Sequence, residues 1–74
     1  MKTDLAGMPK RIREARILRG MNQRHLAEAI GTSQQIISNT EVGRTTPDLF
    51  TLCMICDALC VPINWIVYGG GKIK

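Results

Sequence analysis

Residues 22–43 read Asn-Gln-Arg-His-Leu-Ala-Glu-Ala-Ile-Gly-Thr-Ser-Gln-Gln-Ile-Ile-Ser-Asn-Thr-Glu-Val-Gly, and this stretch decides the fold. It predicts two short helices joined by a tight turn. Asn22 precedes the first apolar residue and is suited to accept a hydrogen bond from a first-turn N–H that would otherwise be unpaired. Leu26, Ala27 and Ile30 then recur at helical spacing. Gly31 follows. Glycine takes the left-handed conformation there without steric cost, so the helix stops. Ser33 is a second N-cap, and a helical pattern runs from Gln34 until Gly43 ends it.

The second of these helices carries the functional signal. At about 100° per residue, Gln34, Ser38, Gln35 and Asn39 fall within an arc of roughly 140°. All four are polar and uncharged, and all donate and accept hydrogen bonds. Ile37 lies on the other side, with Ile36 and Thr40 near it. An apolar stripe backing a face of amides suits a surface of mixed donors and acceptors. Base-pair edges in the major groove are such a surface, and Gln or Asn bonds adenine there with two hydrogen bonds.

The stretch resembles the helix-turn-helix of the lambdoid phage repressors and Cro proteins, a group that illustrates this motif generally. The resemblance rests on Gln23 at the start of the first helix, Ala27 at the helix crossing, Gly31 in the turn, Ile37 in the core, and Glu41 followed by Gly43. The adjacent Gln34 and Gln35 resemble those of a subset of phage repressors that read DNA with them. The match extends over about residues 10 to 69. It implies an all-α domain of five short helices, a lambda-repressor-like DNA-binding domain. At Thr40 the chain departs from the pattern, where a larger apolar residue is common, and a looser third helix is expected.

The resemblance also assigns roles to flanking residues. It pairs Arg16 with Glu41, tying the first helix to the third. It sets Gln23 against a DNA phosphate, which a helix N-terminus also attracts, with Arg24 beside it. It lays the loop of Arg44 and Thr45 along the sugar-phosphate backbone. Lys10 completes the expected phosphate contacts. Base edges are expected to meet Gln34, Gln35 and Asn39, with Ser38 on the margin and Ile36 against a thymine methyl or sugar.

Outward from this stretch, the 74 residues suit one small domain. Such a domain buries only about 60% of its unfolded surface. Residues 1–8 show no period and are expected to form an arm, with Lys2 solvated. Residues 9–69 make the domain, and 70–74 a flexible basic tail. Pro9 opens a helix ending at Arg19 and Gly20, with Ile12 and Ala15 inward. Ile17 and Leu18 are more apolar than the family usually shows. Met21 is expected under the turn into the second helix, and His25 on the surface. Thr46 is the expected N-cap of a fourth helix over 48–60, with Pro47 in its first turn and Asp48 at the positive end of the dipole. Leu49, Leu52, Ile55, Cys56 and Leu59 form its apolar stripe. Pro62 opens a last helix that Tyr68 and Gly69 end. Phe50, Trp65 and Tyr68, the only aromatics, mark the last third as dense core or interface.

Ten Lys and Arg against six Asp and Glu give +4, a balance that suits a polyanionic partner. No apolar run approaches the ~20 residues that span a membrane. With no signal peptide visible and three cysteines that cannot all pair, the expectation is a reduced, cytoplasmic protein of a bacterial host, associated with the nucleoid. Cys53, Cys56 and Cys60 have one-face helical spacing. They are read as core packing, with a thiol sensor or metal set as the lesser readings, since structural zinc wants four ligands. No cofactor, metal or small-molecule ligand is expected, and no nucleophile and base converge on an enzyme motif.

One reading helix covers too few base pairs to find a unique site. A homodimer on a palindromic operator solves this. Its interface is expected at Trp65, Ile66, Val67 and Tyr68, in the only apolar surface, near 61–68, that the sequence leaves free. The leading reading is a Cro-type repressor, stand-alone or the DNA-binding half of a longer chain, the starting Met and basic tail favouring the former. The alternative is a protein-interaction module on the same fold, an antitoxin or adaptor.

Overall fold

The structure is a computed structural model and describes residues 5–69. The first four residues of the expected arm, Lys2 among them, and the tail from residue 70 lie outside the described residues. A 3-10 turn at Leu5–Gly7 leads into α1 (Met8–Leu18), followed by α2 (Gln23–Ile30), α3 (Gln34–Glu41), α4 (Leu49–Leu59) and α5 (Ile63–Tyr68). No strand occurs among the described residues. The all-α, five-helix expectation therefore holds. Met8, assigned by the sequence to the arm, is instead the first residue of α1 and a buried core residue.

Local chemistry sets the helix ends. Asn22 Oδ1 accepts the His25 N–H at 2.7 Å, and His25 Nδ1 accepts the Asn22 N–H at 3.4 Å. His25 thus stands where Glu or Gln usually closes a capping box. It is exposed, as expected, but has a structural use the sequence did not suggest. Gly31 adopts φ +74°, the left-handed turn predicted for it. Ser33 Oγ accepts the Ile36 N–H at 3.3 Å and starts α3. The cap of α4 differs from expectation. Asp48 is the N-cap, accepting the Thr51 N–H at 2.8 Å, so Thr46 and Pro47 lie outside the helix. A carboxylate at this place interacts with the helix dipole as well as with the free N–H, and the hydrogen bond from Thr51 holds the Asp48 carboxyl below its ordinary range.

The largest fully buried side chains are Ile12, Leu26, Ile37, Ile55, Leu59 and Ile66. Every helix contributes at least one of them, so a single core holds all five together. Each such side chain is worth about 1.5–3 kcal/mol when removed from water. Around them pack Ala15, Ala27, Ile30, Leu52, Cys56 and Val61, with Met21 half-buried against the cluster. Thr40 is buried, and its hydroxyl donates to the Ile36 carbonyl at 2.8 Å. With that group satisfied, α3 runs unbroken to Glu41.

Arg11 of α1 and Arg19, the residue that caps its C-terminus, close the ends of distant helices. Arg11 donates from Nε to the Ile66 carbonyl at 2.7 Å and from Nη2 to the Val67 carbonyl at 3.0 Å. Arg19 does the same for Leu59 and Cys60, at 2.7 and 3.0 Å. The last carbonyls of a helix have no partner within it, and a cation there also meets the negative end of the dipole. At Gly69, φ is +74° and an added Cβ would stand 3.0 Å from Arg11 Nη1, so the glycine makes room for this cap.

The α4 stripe begins later than expected. Leu52, Ile55, Cys56 and Leu59 are buried, but Leu49 is 70% and Phe50 74% exposed. Trp65 is half-buried against the core and Tyr68 is exposed, so the aromatics do not form a dense core. Among the cysteines only Cys56 is buried, while Cys53 and Cys60 are exposed. Core packing thus accounts for one thiol of the three.

Candidate nucleic-acid interface

Helix α3 is divided lengthwise. Ile37, Thr40 and Glu41 are buried. Gln34, Gln35 and Ile36 are exposed, with Ser38 and Asn39 half-buried beside them. All five expected base-reading residues therefore keep solvent access. Gln35 Nε2 donates to Asn39 Oδ1 at 3.0 Å, so the two amides one turn apart orient each other. This leaves Asn39 its amide hydrogens and Gln35 its carbonyl oxygen for an outside partner.

The buried side of α3 is fixed by ionic bonds. Arg16 Nε donates to Glu41 Oε2 at 2.6 Å and Arg16 Nη2 to Glu41 Oε1 at 3.0 Å. Two parallel bonds between planar groups fix orientation as well as distance. This charge-assisted bond raises the Arg16 pKa above its ordinary value, against the opposing effect of burial. The pair foreseen from family resemblance is therefore present. It is also larger than foreseen. Gln23 Nε2 donates to Glu41 Oε1 at 3.2 Å, and Arg16 Nη1 donates to the Met21 carbonyl at 2.8 Å. The network joins α1, the start of α2 and the end of α3. Gln23, expected on a phosphate, is half-buried at its edge, with one amide hydrogen directed at Glu41.

The loop after α3 is tied back to the same helix. The Arg44 and Thr45 N–H groups donate to the Asn39 carbonyl at 2.9 and 3.3 Å. Both side chains are exposed. A cleft of about 290 Å³ lined by Ala6, Met8, Pro9, Gly43, Thr45 and Thr46 brings this loop beside the first turn of α1, where Lys10 is exposed. Arg24 is exposed in the first turn of α2. Of the six basic residues between 10 and 24, Arg11, Arg16 and Arg19 are engaged inside the protein. Lys10, Arg13 and Arg24 remain exposed.

The expected dimer residues fare differently. Ile66 is 0% exposed and belongs to the core, so it offers no surface to a second copy. Trp65 and Val67 are half-buried, and Tyr68 is exposed. Among the described residues, no group of three His, Cys, Asp or Glu side chains is placed to hold a metal, and no helix is long and apolar enough to cross a membrane.

A capped α2, a glycine turn, and an α3 with one side locked and the other open define an all-α helix-turn-helix domain. The chain belongs to the helix-turn-helix family, whose sequence pattern matches residues 12–66. It is 35% identical over 66 residues to the HTH-type transcriptional regulator for conjugative element SXT of Vibrio cholerae, covering 89% of this chain and 30% of that protein. It thus spans less than a third of that relative's length. It is 28% identical over 60 residues to the SPbeta prophage-derived uncharacterized HTH-type transcriptional regulator YonR of Bacillus subtilis, covering 81% of this chain and 56% of that protein. The fold superposes on the P22 c2 repressor in complex with a synthetic operator with a TM-score of 0.80, at 28% identity over 85% of this chain and 96% of that one. The DNA-binding domain of SinR from Bacillus subtilis shares the fold, with a TM-score of 0.75 at 24% identity over 81% of this chain and 88% of that one. The two relatives are transcriptional regulators and the P22 neighbour is a repressor, not enzymes, in agreement with the sequence reading.

Proposed function

We propose that the protein is a sequence-specific DNA-binding transcriptional regulator, a repressor of the phage Cro type that binds a palindromic operator as a homodimer. The observation that carries this reading is the division of α3: a buried side held by Arg16 and Glu41, and an open side of Gln34, Gln35, Ser38 and Asn39. The likeness to a repressor crystallised with its operator supports it.

In this reading α3 enters the major groove. Gln34, Gln35 and Asn39 bond base edges, Ser38 supports them, and Ile36 meets a thymine methyl or sugar. Gln23, Arg24, Arg44, Thr45 and Lys10 hold phosphates and set the register. Occupation of the operator blocks polymerase. Such a regulator works in the cytoplasm, on the nucleoid. The reading is tested by titrating isotope-labelled protein with a duplex and following backbone amides. Shifts centred on α3, the start of α2 and the loop at 44–45 support it. Shifts confined to α4 and α5 overturn it, and no shifts at all favour a protein-interaction module.

A further inference from the structure

Among the described residues, the outer face of α4 has no partner. On a helical wheel Leu49, Phe50, Cys53 and Asp57 fall within an arc of about 100°, and Cys60 continues the row past the helix end. All five are exposed, Leu49 and Phe50 at 70% and 74%. The opposite side of the same helix is already committed to the core through Leu52, Ile55, Cys56 and Leu59. A helix that is apolar on both sides faces more than one neighbour. The row continues in sequence onto Ile63, the exposed first residue of α5.

We infer that this face of α4 is where a second copy of the chain docks, the two α4 helices packing antiparallel about a two-fold axis near Cys53. The inference rests on the repressor reading, which requires two protomers on one operator. Three observations select a second copy as the occupant. First, an isologous contact sets a patch against itself, and this patch is apolar except for Asp57, so its two images match. Second, the chain carries +4, yet α4 contains no lysine or arginine. Two copies therefore meet through an element free of the cations that repel them. Third, the C-terminal alternative is depleted, because Ile66 is inside the core and Trp65 and Val67 are half-buried. Stable dimers bury about 800 Å² per partner. Five exposed side chains give only part of this, so the free dimer is weak and the operator, by holding two copies together, completes it.

Sedimentation equilibrium of the whole chain, without DNA and up to its highest soluble concentration, tests the inference. The wild type is expected to show a concentration-dependent monomer–dimer equilibrium. Phe50→Glu is expected to weaken it by roughly tenfold or more, as loss of an aromatic anchor does, and Leu49→Glu to act in the same direction. Tyr68→Glu, on α5, is expected to leave it unchanged. Thermal melts of the variants check the fold, which exposed positions leave intact. A wild type that stays monomeric throughout overturns the inference, as does a dimer broken by Tyr68→Glu and indifferent to Phe50→Glu. Because DNA is absent, a failure of operator recognition would leave this result readable. Intact recognition by a strictly monomeric chain would sink the α4 interface alone.

Discussion

Arg16 and Glu41 are 25 residues apart in sequence and meet in two parallel hydrogen bonds of 2.6 and 3.0 Å, with side-chain exposures of 10% and 1%. The pair sets the pitch of the reading helix against α1. It joins the only buried carboxylate among the described residues to the cation that neutralises it. Removing either partner leaves a buried charge unpaired. Arg16→Ala or Glu41→Ala is expected to cost about 3–5 kcal/mol of unfolding free energy, measured by chemical denaturation. The double replacement Arg16→Met with Glu41→Leu removes both charges and is expected to recover most of that loss. Equal damage from the single and double changes would contradict this account of the pair.

Arg11 offers a contrast to the exposed cations. Its bonds to the Ile66 and Val67 carbonyls anchor α5 from within. Arg11→Met is expected to cost about 1.5–3 kcal/mol of stability, the range for hydrogen bonds to charged groups, while the folded fraction binds DNA as before. Lys10→Ala and Arg24→Ala are expected to do the reverse, with denaturation curves unchanged and DNA affinity reduced.

The base-reading and phosphate-holding groups separate by the kind of loss each causes. Gln35→Ala is expected to cost about 1–3 kcal/mol of discrimination at one operator position, because a bidentate base contact goes. Arg44→Ala is expected to weaken binding to all duplexes alike and to reduce the salt slope by about one. Fluorescence anisotropy on matched and mismatched duplexes over a range of salt reads both effects. A Gln35 variant that weakens every sequence equally would remove it from the reading face.

Two thiols of three are expected to react in the native protein. Cys53 and Cys60 are exposed, whereas burial pushes the Cys56 thiol up to about 11 from its ordinary 9.0. Because its folded pKa is raised, Cys56 contributes stability that is fully present below pH 9.0 and is lost as pH rises through about 11. Titration with an aromatic disulfide at neutral pH should stop at two equivalents and reach the third only in denaturant. Cys56→Ala, which keeps a small apolar side chain, should flatten the alkaline limb of the stability curve.

Much of this fold is legible in the sequence because its signals are local. Asn22, Gly31 and Ser33 act on residues within one turn of themselves, and each stands where the pattern put it. Thr46 and Asp48 are both good caps two residues apart, and it is the Asp48 carboxylate that accepts the Thr51 N–H. The α4 surface misleads for a different reason. In a helix with few polar residues, periodicity does not say where the buried stripe begins, so Leu49 reads as core and is exposed. Arg11 and Arg19 act over 55 and 40 residues, on helix ends whose position no local pattern reveals. In the sequence they only add to the basic excess that suits a polyanion, and in the fold they are internal caps. The amides of α3 are legible as an exposed face because the opposite face is plainly apolar. The network that holds α3 is only half legible: Arg16 and Glu41 come through family resemblance, while Gln23 and the Met21 carbonyl emerge from packing.

The central claim is that α3 reads base sequence in a two-fold arrangement. Selection of bound duplexes from a random pool at moderate salt, followed by sequencing, tests it most directly. Enrichment of an inverted repeat with a fixed spacing of about one helical turn, ~34 Å, between half-site centres is expected. Binding that enriches no sequence and simply fades with salt would contradict it.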